Sequence, residues 1–192
     1  MVSRAEHRER TLLALSAATT DTIERLGPDA TIDEIAERAG VARRTVYRWV
    51  DTRDDLLFIH PRLWIERFDT AVAPLQDEAL RVRIVEGCRA VSDSIDGDPE
   101  PVRRAMAVAL RHPELMRGYA TVNQEWIDRM AAEVAVGRDG NARAERFRAR
   151  ALGAAIMGVI DAALAEWMAS DTPPPLLTLV EEGLDHLAPI LD

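Results

Sequence analysis

Between positions 38 and 53 the chain carries five arginines (Arg38, Arg43, Arg44, Arg48 and Arg53) against one acid, Asp51. A guanidinium there can bond a guanine edge with two parallel hydrogen bonds, or grip a phosphate. Thr45 and Tyr47 stand among them, and their hydroxyls suit phosphate oxygens. The chain as a whole has a net charge of −9, so any affinity for a polyanion must come from this local cluster rather than from the sum. All 24 basic residues are arginine, which bears on composition more than on function.

Two short helices are needed to hold that cluster in place, and residues 31–50 (TIDEIAERAGVARRTVYRWV) contain them. Thr31 and Glu34 form a capping box that starts a helix at Ile32. Ile35 and Ala36 face inward, and the small Ala36 allows a second helix to cross close by. Gly40 supplies the permissive backbone of a tight turn. Val41 and Val46 add apolar contacts from the turn and the second helix. Two short helices, a brief turn and a shared apolar seam make a helix-turn-helix, whose second helix projects Arg43, Arg44, Thr45, Tyr47 and Arg48 away from the seam. A buried helical hairpin with a merely solvated arginine face is the competing reading.

Here the sequence resembles the tetracycline-repressor (TetR) family. The resemblance rests on LSAATTDTIERLG (15–27), residues 31–50, and DTRDDLL (51–57). It implies an all-α protein with an N-terminal three-helix DNA-binding domain containing the helix-turn-helix, and a C-terminal helical ligand-binding and dimerisation domain. The boundary is expected near residue 50, giving domains 1–50 and 51–192. It further implies that Thr31, Arg43, Arg44, Thr45, Tyr47, Arg48 and Arg53 meet DNA. Arg53 replaces a usual lysine and reaches phosphate with different geometry. Val50 replaces a usual phenylalanine, whose space Trp49 is expected to fill. Ala42 stands where a capping serine is common.

The remaining chain reads as helices. Alternating strand-like runs are absent, and apolar residues recur at helical spacing. About nine helices are expected: near 4–26, 32–39, 43–49, from Thr52 onward, 76–95, one from Pro101, one from Pro113, 142–169, and a last one ending near Asp192. Leu12, Leu15, Thr19, Thr22, Ile23 and Leu26 share one face of the first. Thr52 and Asp55 repeat the capping box. Pro61 predicts a kink or break, because it lacks a donor and crowds the carbonyl of Leu57. Gly137 to Asn141 reads as a turn. A bulky apolar set lies beyond residue 57. By the resemblance, Trp64, Phe68, Cys88, Met106, Tyr119, Asn123, Trp126 and Met157 line a pocket for a small lipophilic effector. His112 and Gln124 are further polar candidates, and ordinary core or surface roles compete at each position. The 142–169 helix carries Gly153, Ala154, Ala155, Gly158 and Ala162, which allow close helix approach, and the family uses it together with the last helix to form a homodimer; packing within one subunit is the competing reading.

Other functions have little to stand on. Phosphate-binding glycine loops, HExxH and a nucleophile elbow are missing, and the histidines at 7, 60, 112 and 186 are scattered. No catalytic residue, metal ligand or cofactor is expected. A single cysteine gives no internal disulfide. The charged start MVSRAEHRERT does not read as a secretory signal, and no uncharged apolar run is long enough to span a bilayer. The reading is a cytoplasmic regulator: a repressor of double-stranded DNA, released from a near-palindromic operator by its effector. A helical enzyme or an interaction adaptor with a degenerate helix-turn-helix remains the alternative.

Overall fold

A computed structural model describes residues 4–50, 52–138 and 142–191. Among them are ten α-helices and two short 3-10 turns, with no strand. The helices are α1 (Arg4–Leu26), α2 (Ile32–Ala39), α3 (Arg43–Val46), α4 (Arg53–Leu57), α5 (Ile59–Val72), α6 (Leu80–Gly97), α7 (Glu100–Arg111), α8 (Met116–Ala135), α9 (Arg143–Ala169) and α10 (Leu176–Leu191). Residues 139–141, part of the expected turn, lie outside the described residues.

The extra helix comes from Pro61. The expected break is present, but it lies at Phe58, which closes α4 with a non-helical backbone. Pro61 thereby falls in the first turn of α5, where a missing amide hydrogen costs no helical bond. Pro101 and Pro113 use the same allowance at the starts of α7 and of the turn Pro113–Leu115.

The chain divides into two compact units. The first holds residues 1–63 and 99–122. Its core joins Leu12, Leu15 and Ala18 of α1, Ile35 and Ala36 of α2, Val46 of α3, and Val50, Leu56, Ile59 and Leu63. Trp49 is partly buried against this cluster and Val50 is buried within it, the arrangement expected where a larger side chain at 50 is absent. Leu26, expected on the buried face of α1, is more than half exposed. It closes the last turn before Gly27 takes the left-handed backbone (φ 88°), so the helix ends before its stripe comes round again.

The second unit holds residues 64–98 and 123–192. In it α10 lies along both α9 and α6. Phe68 and Trp126 meet edge to face, with ring centroids 5.6 Å apart. Phe68 enters because position 87 is glycine: a Cβ there would stand 2.3 Å from its ring. Gly153 likewise lets α9 approach the backbone of α8 at Ala131, and Gly183 admits Val159. Arg83 of α6 is buried against α8, its Nε donating to Glu133 Oε2 at 2.9 Å and Nη2 to the Glu133 carbonyl at 2.5 Å. By length and composition α9 could cross a membrane. It carries Asp161 and Glu166, however, and buries Leu152, Ile156, Met157 and Trp167 within its own unit.

Candidate nucleic-acid interface

The helix-turn-helix is held by its first helix. Thr31 caps α2: its amide donates to Glu34 Oε2 at 2.8 Å, and the Glu34 amide returns a bond to the Thr31 hydroxyl at 3.3 Å. Those bonds, the Thr31 amide first, hold the Glu34 carboxyl below its usual range. At the other end Gly40 adopts the left-handed backbone (φ 67°), which any side chain with a Cβ would strain. Val41 then closes the turn by donating to the Ala36 carbonyl at 3.0 Å.

The second helix is slight. α3 has four residues, and Ala42 offers no side-chain cap. Its single fully buried anchor is Val46. From that anchor Arg43, Arg44, Tyr47 and Arg48 are exposed and Thr45 is half-buried. Tyr47 is 47% exposed, so its ring stands outside the core. Arg43 Nη1 donates to Asp33 Oδ2 at 3.0 Å, and Nη2 to the Tyr47 hydroxyl at 3.3 Å. The tyrosine bond first, and the aspartate charge second, raise the pKa of this guanidinium further. Arg48 lies over the face of Trp49, 4.9 Å from the ring centroid. Among the described residues Arg44 has no hydrogen-bonding or ionic partner.

Arg53 opens α4 under a second capping box, with Thr52 donating to Asp55 Oδ2 at 2.9 Å from its amide and 2.8 Å from its hydroxyl. Arg53 Nη1 reaches the Ala30 carbonyl at 3.4 Å. Thr31 follows directly on Ala30, so Arg53 and Thr31 are neighbours. One unit thus brings together all seven expected DNA-contacting residues. They stand beside the starts of α2, α3 and α4, of which α2 and α4 are closed by their own capping boxes and α3 has no side-chain cap.

The expected effector residues are not all in one unit. Trp64, Phe68, Cys88, Asn123, Trp126 and Met157 belong to the second, whereas Met106 and Tyr119 belong to the first. Phe68, Cys88, Trp126 and Met157 are buried. Asn123 keeps a buried Oδ1 with no hydrogen-bond partner. Burial pushes the Cys88 thiol up to about 12, so it stays protonated and unreactive at neutral pH. Tyr119 packs on Phe58 with centroids 5.8 Å apart. His112 stands 3.8 Å from Glu114, and Gln124 bonds Asp128, both at the surface.

The family model for bacterial regulatory proteins of the tetR family matches residues 15–58. A second, described as the MftR C-terminal domain, matches residues 78–192, more than half of the chain. The chain belongs to the TetR family. This regulator shares its fold with two solved structures. The first is the fatty acid degradation regulator FadR from Bacillus halodurans (TM-score 0.59, 18% identity, 92% of this chain and 94% of that one). The second is the transcriptional regulator FadR from Bacillus subtilis in complex with stearoyl-CoA (TM-score 0.58, 17% identity, 91% and 96%). No curated protein matches it. It is a DNA-binding transcriptional regulator, and the helix-turn-helix described above is the family's DNA-binding element.

Proposed function

We propose that this regulator is a homodimeric, cytoplasmic repressor that leaves a near-palindromic operator when a small lipophilic ligand binds. In this reading residues 1–50 are the DNA-binding domain and 51–192 the ligand-binding and dimerisation domain. The observation that carries it is the polarity of α3: Val46 is fully buried while Arg43, Arg44, Tyr47 and Arg48 face solvent. Arg44, without a hydrogen-bonding or ionic partner among the described residues, reads a base edge. Thr31, Tyr47 and Arg53 hold phosphates, with Arg43, Thr45 and Arg48 alongside them in the groove. Two such helices related by a twofold axis meet two related half-sites.

Two further features support the dimer and the ligand. Ala151, Ala154, Gly158, Ala162 and Ala165 leave a small-residue face of α9 exposed. A Cβ at Gly158 would meet nothing within 4 Å, so no contact among the described residues calls for a glycine there. On the ligand side, Trp64, Phe68, Cys88, Trp126 and Met157 all belong to the second unit, and side chains of this kind suit a lipophilic ligand. The open Asn123 acceptor suits a ligand donor group. The long acyl chain in the Bacillus subtilis relative is in keeping with a lipophilic effector here.

Gel-shift titration with the DNA flanking the protein's own gene tests the whole reading. Retarded specific DNA is expected, and its absence would favour the adaptor or enzyme alternative. Sedimentation at micromolar concentration should give a dimer, and a stable monomer there refutes the twofold arrangement. Stearoyl-CoA, as a first lipophilic probe, should weaken operator binding. Operator should weaken binding of the probe by the same factor, because the two share one linkage cycle.

A further inference from the structure

Helix α7 lies outside the family's DNA-binding segment in sequence, yet it belongs to the same compact unit and packs on α1. The burial of α1 records this. Leu15, Ser16, Ala18, Thr19, Thr20, Thr22 and Ile23 are all buried, although a helix with one neighbour buries a single stripe. The hydroxyls cause no penalty, since Thr19, Thr20 and Thr22 donate to the carbonyls of Leu15, Ser16 and Ala18. From α7, Val102, Ala105, Val108 and Ala109 form the buried side.

Beside this seam runs an ionic relay. Arg104 Nη2 donates to Asp21 Oδ1 at 2.6 Å and to Glu24 Oε2 at 2.5 Å, both on α1. The other Asp21 oxygen accepts from Arg38 Nη2 at 2.8 Å. Arg38 sits in the last turn of α2, two residues before Gly40. The Arg38 bond first, and the Arg104 bond next, hold the Asp21 carboxyl below its usual range. One carboxylate therefore ties α7 to the end of the helix from which α3 departs. These side chains are partly exposed, and such pairs add little stability. Their use lies in direction.

We propose that Arg104 is a positioning residue for operator recognition: acting through Asp21, it sets the orientation of α2 and so the presentation of α3 to DNA. This rests on α3 being the DNA-reading helix. The proposal enlarges the recognition head from residues 15–58 to include α7, which no residue-to-DNA contact would reveal.

The test uses the full chain and its Arg104→Gln, Arg104→Lys, Asp21→Asn and Arg104→Gln/Asp21→Asn variants. Each is titrated against operator and scrambled DNA over a range of salt, with thermal melting alongside. Arg104→Gln should lower operator affinity about three- to tenfold and leave scrambled DNA unaffected. The slope of affinity against salt should stay as in the parent, because no phosphate contact is lost. Arg104→Lys should recover part of the affinity, and Arg104→Gln should add nothing in the Asp21→Asn background. Melting should move by only a few degrees, about what a surface pair is worth. An unchanged operator affinity overturns the proposal. So does a flatter salt slope, an equal loss on both DNAs, or a full effect without Asp21. Arg44→Ala serves as the reference. If it too leaves operator binding intact, the reading of α3 itself has failed; if it weakens operator binding while Arg104→Gln does not, only the positioning role has.

Discussion

Arg44 and Arg83 are the same side chain in opposite circumstances. Arg44 stands on a four-residue helix with no side-chain cap, in solvent and without a hydrogen-bonding or ionic partner among the described residues. Arg83 is about 4% exposed and is held by the Glu133 carboxylate and the carbonyls of Glu78 and Glu133. A guanidinium can be buried only when its donors are met and its charge is balanced. One left without a partner among the described residues can meet a phosphate or a base edge without first giving up a protein bond, as Arg43 would have to give up Asp33. The recognition helix is thus loosely built and waits for its ligand, while the α6–α8 contact is complete in itself. The first should govern binding with little effect on stability, and the second the reverse.

Breaking the buried pair gives the largest effect. Glu133→Ala leaves a buried cation with only carbonyl partners, and is expected to destabilise the fold by about 3–5 kcal/mol. Chemical denaturation would register it. A loss below about 1 kcal/mol would mean that the carbonyls of Glu78 and Glu133 suffice. Next comes Arg44→Ala, expected to weaken operator binding by about 1–3 kcal/mol and relax the preference at one base position. Its melting curve should match the parent's. Arg53→Ala, by contrast, should weaken all DNA alike and flatten the salt dependence.

The caps sharpen the contrast further. Burial raises the Asp55 pKa, but the Thr52 hydroxyl and amide, together with Arg62, outweigh it and hold the carboxyl below its ordinary 3.8. A carboxylate whose folded pKa is depressed stabilises above its unfolded value, and the contribution is lost as pH falls through the folded one. Asp55→Asn should therefore be less stable than the parent by about 1 kcal/mol at pH 7. The two should converge below pH 3.8. A gap that persists unchanged in acid would show that packing, not charge, is what was lost. The smallest change is a gain: Ala42→Ser supplies the missing cap of α3 and should add up to about 1 kcal/mol of stability. If the looseness of α3 serves binding, operator affinity should not rise with it; a parallel rise would show that the uncapped helix is only a weakness.

The elements written in short local patterns were legible from the sequence alone. Thr31 with Glu34, and Thr52 with Asp55, are three residues apart and close their capping boxes within one turn, so their meaning needs no distant partner. Gly40, the buried Val46 and the outward arginines follow from spacing in the same way, as does the extent of α1 and the proximity of Pro61 to a helix break. Tertiary structure decided what depends on a second helix arriving from far along the chain. Arg83 and Glu133 are 50 positions apart, and Arg104 and Asp21 are 83 apart. Nothing in the periodicity of either segment says that a cation on one will meet a carboxylate on the other. Thr19 and Thr22 were assignable to a buried face, but Ser16 and Thr20 on the flank beside it are buried as well. Polar residues at helical spacing look solvated until further neighbours cover them, and α1 has α2, α4 and α7 against it, the last of which no local pattern places there.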